Sequence, residues 1–351
     1  MATQSSAATS STANNERIEA FSASVEHFGA WVESNREPGG GWRSDSSVSG
    51  YFSVIALANH LGRRDWAQLF LHFVEKTFVK DGALFQLPNR DSMMGYVPSW
   101  LAWEASAAGC FRLSNTLADY VLSFAGSKSG GVFASAAGRD SGRGDFCFDS
   151  TTMAALCFAA TGRSAAAERV GDFLVRLLEE QPEPDKCFRT QWREPDGIVA
   201  EDAPSTTVLQ WDQPKQHYYK TGLYVMATLH AYGATGRQRY LDAALTVYRR
   251  TVELAVDLWT NTFSHKMIWA AASLHALTGE RHYIEDACRG ADHILSLQEP
   301  DGTFQYPEAC PDFPPELWEF LPNVGGQFAL WLALTRDGLV VEAGRGVASN
   351  E

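Results

Sequence analysis

The chain has 351 residues, of which 45% are hydrophobic and 20% are charged, and its formal net charge is -13 at pH 7. Such a composition excludes an intrinsically disordered chain and provides a large apolar core. The negative charge repels phosphate groups, so we expect neither nucleic acid nor an anionic membrane surface as a partner. No apolar run reaches the roughly 18 residues that a membrane span needs, so no span is predicted.

The two ends of the chain differ in composition from its middle. Residues 1–15 are mainly Ser, Ala, Thr and Asn and lack the basic and apolar segments of a secretory signal. We therefore predict a flexible tail over 1–15, one folded domain over 16–340 and a second flexible tail over 341–351. The six cysteines form no CxxC pair, which favours reduced thiols, a cytoplasmic protein and no structural zinc.

Two kinds of helix alternate along the chain. One kind is amphipathic, with charge on one face, and is expected on the outside; the other is apolar on most faces and is expected inside. In chain order, the sequence predicts outer 16–34, inner 54–61, outer 65–78, inner 99–108, outer 113–124, inner 151–160, outer 165–180, inner 221–234, outer 239–256, inner 266–277, outer 283–297 and inner 325–334.

A recurring turn follows the inner helices. Gly162, Gly236 and Gly279 each come after a threonine at the end of an apolar segment, where a left-handed glycine ends one helix before the next begins. Helix pairs of this kind must close on themselves, because an open array would expose an apolar face at each end. The sequence therefore predicts a single all-α domain, an (α/α)6 barrel or toroid of alternating inner and outer helices.

The loops that lead into the inner helices are longer and place glycine beside aromatic residues, as in Gly41-Trp42 and Gly302-Thr303-Phe304. We expect short extended stubs in these loops. Function is expected at the end of the toroid where the long loops lie, because binding and catalytic residues collect on such loops.

The segment 289–304 carries a motif in which an outer helix is followed by a glutamine and a glycine turn. The matching positions are Arg289, Gly290, Ile294, Gln298 and Gly302, with His293 and Phe304 in place of the usual aromatic and Trp. This segment resembles the QW repeat of the squalene/hopene cyclase and prenyltransferase toroids. The resemblance implies the toroid fold, with the glutamine and the turn tying an outer helix to the next inner helix.

Two motifs of that family are absent from the sequence, the acidic DxDD motif and the DDxxD motif that binds diphosphate and magnesium. The resemblance therefore implies neither squalene-type protonation nor metal-triggered ionisation of a diphosphate. We expect no metal and no cofactor.

Polar side chains precede the third and fourth inner helices. Asp149 is predicted either to cap the third helix or to act as a general acid or base in an aromatic pocket. His217, Tyr218 and Lys220 are close together before the fourth helix and provide hydrogen-bond donors and a group that titrates near neutrality. We predict that Asp149, His217, Tyr218 and Lys220 are catalytic.

Further aromatic and charged residues are predicted at the same end of the toroid. An aromatic wall with a few polar groups is the usual lining of a small-molecule site, although core packing remains the alternative for the aromatic residues. The predicted substrate-binding residues are Tyr51, Trp100, Trp103, Glu104, Arg139, Asp145, Phe148, Trp211, Tyr219, His265, Lys266, Trp269 and Trp318.

Three functions are compatible with these residues. The first is a cofactor-independent cyclase or isomerase for a small hydrophobic terpenoid or polyketide metabolite, acting by acid–base chemistry or by a pericyclic ring closure of the Diels–Alder type. The second is a carbohydrate-active toroid, that is, a glycoside hydrolase, a uronate lyase or a sugar epimerase. Hydrolysis needs two carboxylates about 5–10 Å apart, for which Asp45, Glu104, Asp145 and Asp149 are candidates. The third is a binding toroid without catalytic activity.

Overall fold

The computed structural model describes residues 2–43, 47–85, 93–126, 129–200, 203–306 and 321–348, so Asp45 and Trp318 lie outside the described residues. Over these ranges the predicted alternation of outer and inner helices is confirmed. The outer helices are α1 (Ala2–Asn35), α3 (Arg64–Phe78), α5 (Phe111–Phe124), α8 (Ser164–Glu179), α10 (Gln238–Leu254) and α12 (Arg281–Leu295). The inner helices are α2 (Phe52–His60), α4 (Met93–Ala107), α7 (Phe148–Ala160), α9 (Tyr219–Thr235), α11 (His265–Thr278) and α13 (Leu321–Ala348). A short additional helix, α6 (Ala136–Ser141), precedes α7.

The first and last helices are longer than the sequence indicated. Helix α1 begins at Ala2 and α13 ends at Ala348, so both segments expected to be flexible tails are helical as far as they are described. No glycine precedes Gly29 and no proline precedes Pro38, so nothing in the alanine-rich start of the chain interrupts a helix. The limits of the folded domain stay a prediction.

The inner helices form a closed ring. Each contacts the next in the order α2, α4, α7, α9, α11 and α13, and α13 returns to contact α2. Helix α1 packs on α13 and closes the outer layer, and Arg17 of α1 forms an ion pair of 2.8 Å with Asp292 of α12. The fold is therefore the closed all-α toroid that the sequence predicts. None of the helices described is long and apolar enough to pass through a membrane.

Indole rings meet at the axis of the ring. Trp269 stacks on Trp331 with ring centroids 4.8 Å apart, on Trp100 at 5.4 Å and on Trp103 at 5.7 Å. We call these four residues the indole stack. Trp100 and Trp331 are completely buried, and 4% of the Trp269 surface is exposed. The axis is therefore filled with aromatic side chains at this level, which leaves the ends of the ring for a ligand.

The two ends of the ring are built differently. At one end, the inner helices α2, α4, α7, α9 and α11 are each followed within two residues by a glycine with a positive φ, such as Gly162 at 72° and Gly236 at 70°, and the next outer helix follows at once. At the other end the longer loops form short antiparallel strands, as predicted. These strands are β1 (Val79–Lys80), β2 (Ala83–Leu84), β3 (Gly144–Phe146), β4 (Cys187–Arg189), β5 (Trp192–Glu194), β6 (Gly197–Ile198) and β7 (Val208–Gln210), paired as β1–β2, β3–β5–β6 and β4–β7.

Gln298, the central residue of the QW-like motif, joins this loop to an outer helix. Its side-chain amide donates to the carbonyl of Ser24 in α1 at 2.9 Å and to that of Gly302 at 3.1 Å. The motif thus links the turn after α12 to the neighbouring outer helix α1, and not to the next inner helix as the resemblance implied. The reason is that the last outer helix and the first outer helix are adjacent once the ring is closed.

Two glycines of α9 test the close packing of the inner ring. A Cβ on Gly222 would lie 2.4 Å from the carbonyl carbon of Lys266 in α11, whereas a Cβ on Gly233 would meet nothing within 4 Å. We expect Gly222→Ala to lower the free energy of unfolding by about 1–3 kcal/mol through overpacking. Gly233→Ala is the matched control and should raise it by up to about 1 kcal/mol, because alanine favours a helix more than glycine does. Urea denaturation measures the free energy of unfolding of both variants. Equal effects of the two substitutions would contradict the close contact between α9 and α11 at Gly222.

Candidate active site

The first turns of four inner helices bring polar side chains together above the indole stack. Lys266 Nζ in α11 donates to the hydroxyl of Tyr96 in α4 at 2.9 Å and lies 4.8 Å from the ring centroid of Tyr219 in α9. The Tyr219 hydroxyl in turn donates to Oδ2 of Asp149 in α7 at 3.4 Å. We call Tyr96, Asp149, Tyr219 and Lys266 the polar layer. The Tyr96 ring also contacts Trp100 at 6.5 Å, so the polar layer lies directly against the indole stack.

Asp149 lies at the centre of this arrangement. The side chain of Cys147 accepts the capping hydrogen bond from the Ser150 amide at 3.4 Å, because α7 begins at Phe148. Of the two roles predicted for Asp149, capping of the third inner helix is therefore wrong, and the Asp149 carboxylate is left for other contacts. Its Oδ1 atom is buried and accepts no hydrogen bond from the residues that the structure describes.

Lys266 is a buried amine surrounded by aromatic rings. Only 5% of its surface is exposed. Burial lowers the pKa of its side chain to about 8, against the opposing effect of the Asp149 carboxylate. An amine in this condition remains a hydrogen-bond donor at neutral pH and can release a proton more readily than an exposed lysine.

His265, next to Lys266, has an oxygen atom close to each of its ring nitrogens, and a neutral imidazole donates to one of the two. Nδ1 lies 2.9 Å from the carbonyl of Thr262 and Nε2 lies 3.3 Å from Oε1 of Gln327 in α13. Burial and the neighbouring Lys266 charge lower the pKa of His265 to about 3. The imidazole is therefore neutral at physiological pH and positions its neighbours, including the Tyr219 ring, with which it stacks at 6.2 Å.

The three predicted catalytic residues around the start of α9 face different neighbours. Lys220 is buried and donates to the Thr206 carbonyl and to the Thr190 hydroxyl, and burial lowers its pKa against the opposing effects of Asp149 and Cys147. Tyr218 donates to the carbonyl of Gln213 at 3.2 Å and lies outside the polar layer. The His217 ring stacks on Tyr219 at 5.7 Å, so it lies beside that layer.

Several predicted substrate-binding residues form part of the core. Tyr51 packs against Trp42 and Phe70, and Trp211 donates to the Pro184 carbonyl at 3.0 Å. Phe148, at the start of α7, packs edge-on against Phe188 with 6% of its surface exposed.

Three predicted charged residues lie apart from the polar layer. Glu104 is two turns deeper in α4 than Tyr96, where it accepts a hydrogen bond of 2.7 Å from Asn59, and burial raises its pKa to about 7. Asp145 pairs with Arg193 at 2.6 Å, which lowers the pKa of the carboxyl. Arg139 pairs with Asp140 at 2.8 Å.

Tyr96 and Gln327 are site residues that the sequence reasoning missed. Helix α4 begins at Met93, not at residue 99, and contains Pro98; a proline usually marks a helix start, so the turn before it was taken for a loop. Tyr96 stands four residues before Trp100, which places the two rings on the same helix face. Gln327 was detectable as the one amide in the apolar segment 325–334, which the sequence predicts as the last inner helix.

Comparison with known proteins identifies the fold. No family model and no curated protein sequence matches the chain. Solved structures do match. A family 76 α-mannanase of Bacteroides thetaiotaomicron shares 11% identity at a TM-score of 0.61, over 92% of this chain and 97% of its own.

Two other similar structures belong to different classes of protein. A sugar epimerase from a ruminal bacterium shares 11% identity at a TM-score of 0.61, over 90% of this chain and 98% of its own. A type II terpene cyclase from Scytonema, in complex with geranylgeranyl dihydroxybenzoate, shares 12% identity at a TM-score of 0.56, over 92% of this chain and 99% of its own. The chain therefore has the α/α toroid fold that these proteins share.

The burial of Lys266 predicts a dependence of stability on pH. Its folded-state pKa of about 8 lies below the ordinary value of 10.5, so the wild-type protein gains stability as the pH rises between these values. Lys266→Met removes the buried charge, and we expect it to raise the free energy of unfolding by about 1–3 kcal/mol at neutral pH. This advantage should shrink near pH 10.

Urea denaturation of wild type and variant at about pH 7 and about pH 10 measures this change. Lys76→Met, at an exposed position of α3, is the control and should change stability by less than about 0.5 kcal/mol at either pH. A Lys266→Met advantage that is constant with pH would show that the Lys266 amine does not titrate at a lowered pKa.

Proposed function

We propose that this protein is an enzyme, a cofactor-independent cyclase or isomerase that acts on a hydrophobic terpenoid or polyketide metabolite. The observation that carries the proposal is the polar layer, in which a single carboxylate and a buried amine lie against an aromatic stack. An apolar chain held against such rings loses the freedom that opposes ring closure, and orientation of this kind removes a large part of the barrier.

The residues of the polar layer divide into two pairs. In the first, Lys266 together with Tyr96 donates hydrogen bonds to a substrate oxygen and stabilises negative charge on that oxygen. In the second, Asp149 accepts a proton from a substrate carbon and returns it at another position, with its carboxylate oriented by Tyr219. A pericyclic closure of the Diels–Alder type requires only the first pair, and an acid–base isomerisation requires both.

The complex of the Scytonema type II terpene cyclase supports a hydrophobic substrate. That protein has the same toroid fold and holds geranylgeranyl dihydroxybenzoate, an isoprenoid chain on an aromatic acid. In the chain described here, Lys266 donates to the Tyr96 hydroxyl, and Tyr96 and Trp269 are buried aromatic residues with 6% and 4% of their surfaces exposed. The Lys266 amine therefore has an apolar, aromatic environment.

A carbohydrate-active enzyme is the second candidate, since the mannanases and the sugar epimerase share the fold equally well. Hydrolysis of a glycoside needs two carboxylates, and among the described residues Asp149 is the carboxylate in the first turns of the inner helices. In an inactive mannanase variant from Salegentibacter two consecutive aspartates were replaced, and this sequence contains no two consecutive aspartates. His265 has a pKa of about 3, so it is a weak base and is not favoured as the residue that transfers protons in an epimerase.

The proposed reaction is tested by incubating the protein with linear polyenes and isoprenoids that carry a carbonyl group and following ring closure or isomerisation by liquid chromatography and mass spectrometry. Wild type should accelerate the reaction, and Lys266→Met should lower kcat/KM by about 100-fold or more, as loss of an oxyanion donor does. Asp149→Asn should lower kcat/KM by about 100-fold or more if Asp149 transfers protons, and should change kcat/KM little if the closure is pericyclic.

Asp145→Asn is the matched control for this assay. Asp145 lies four residues before Asp149 and pairs with Arg193 outside the polar layer, so its replacement should leave turnover unchanged. Turnover of an aryl glycoside or an unsaturated uronide that disappears in Asp149→Asn would contradict the proposal in favour of the carbohydrate-active enzyme. Binding without turnover of any substrate, unaffected by Lys266→Met, would indicate a non-catalytic binding toroid.

A further inference from the structure

Positive charge exceeds negative charge around the polar layer. Lys220 and Lys266 are both buried, with 6% and 5% of their surfaces exposed, and Asp149 is the carboxylate that lies near both of them. His265 is neutral because its pKa is about 3. The described side chains at this end of the axis therefore combine two buried ammonium groups with one carboxylate.

The two lysines differ in how well their charges are satisfied. Lys220 donates to a backbone carbonyl, that of Thr206, and to the Thr190 hydroxyl. Lys266 has one hydrogen-bond partner among the described residues, the Tyr96 hydroxyl at 2.9 Å. An ammonium group has three donors, so two donors of Lys266 are left in an environment of aromatic ring faces.

A buried carboxylate elsewhere in this fold does have a charged partner. Asp286 in α12 is 7% exposed, and it accepts from the Tyr248 hydroxyl at 2.9 Å and from Arg289 at 3.1 Å. No described carboxylate lies within ion-pair distance of Lys266. Its environment is therefore of the kind that favours a negatively charged ligand, because burial of an unpaired ammonium is costly.

The surrounding backbone adds to this preference. The polar layer lies in the first turns of α4, α7, α9 and α11, and the start of a helix carries partial positive charge from unpaired amide groups. One ammonium and one phenol can donate to the two oxygens of a carboxylate. A doubly charged phosphate needs more donors and would lie close to the Asp149 carboxylate, so the residues fit a carboxylate better.

We propose that the substrate of this enzyme is an apolar chain with a carboxylate group, and that the carboxylate binds Lys266 and Tyr96 while the chain lies against Tyr96 and Trp269. The proposal rests on the function proposed above and adds the chemical class of the substrate. It also assigns to Lys266 the selection of acids over neutral molecules of the same shape.

The test is a titration of the full chain with farnesoic acid, methyl farnesoate and farnesol, followed by quenching of tryptophan fluorescence, since the indole stack adjoins the site. Wild type should bind the acid about tenfold or more tightly than the ester and the alcohol, as expected for a charge-assisted hydrogen bond in a buried site. Lys266→Met should bind the acid and the ester alike, and Lys76→Met should keep the preference.

Asp149→Asn provides a second, independent readout. Removal of the neighbouring negative charge should tighten binding of the acid and leave binding of the ester unchanged, an effect that a purely structural role of Asp149 would not produce. If Lys266→Met fails to fold, Lys266→Gln replaces it, because the glutamine amide keeps a donor toward Tyr96.

The proposal is overturned if wild type binds ester and acid equally, if it binds none of the three probes, or if the preference persists in Lys266→Met. A preference for the acid without turnover of any polyene would sustain this inference and contradict the cyclase. Turnover of neutral polyenes without a preference for the acid would contradict this inference and sustain the proposed cyclase.

Discussion

The stacking of tryptophan side chains at the axis is the contact on which the rest of the structure depends. Trp100, Trp269 and Trp331 come from three inner helices, α4, α11 and α13, and their rings lie 4.8–5.4 Å apart. This packing fixes how closely the ring of helices can close. It also blocks the middle of the axis with apolar rings. Polar groups that project into the ring are therefore confined to its two ends, and at the long-loop end they meet as one layer.

That confinement accounts for the unusual chemistry of the polar layer. Lys266 lies between the aromatic rings of Tyr96 and Tyr219 and forms no ion pair with a described carboxylate. Burial lowers its pKa to about 8, and the more distant Asp149 only partly opposes this effect. Asp149 is held at a distance by the Tyr219 hydroxyl, so the acid and the amine stay separate and neither neutralises the other directly. Groups kept apart in this way can act on different atoms of one substrate, which is what a cyclase or an isomerase requires.

The sequence predicts the architecture better than it predicts the site. Apolar faces and glycine turns such as those at Gly162 and Gly236 were sufficient for the toroid, because each depends on neighbouring residues alone. His217, Tyr218 and Lys220 were predicted to be catalytic and Tyr219 to bind substrate, yet successive residues of a helix point about 100° apart. Only Tyr219 of these residues belongs to the polar layer, and this depends on where α9 begins. Tyr96 was missed because Pro98 was taken to mark the start of α4, which left Tyr96 in a predicted loop. Its partner Lys266 is 170 residues away in the chain, so their contact could not be predicted from neighbouring residues.

The central claim is that ligands bind against the indole stack, at the end of the ring where the inner helices begin. The most direct measurement is a crystal structure of the protein with a bound polyene acid. We expect the ligand chain to contact Tyr96 and Trp269, with an oxygen within about 2.7–3.2 Å of Lys266 Nζ. A ligand bound outside the ring of inner helices, with Lys266 paired to Asp149 instead, would contradict the claim.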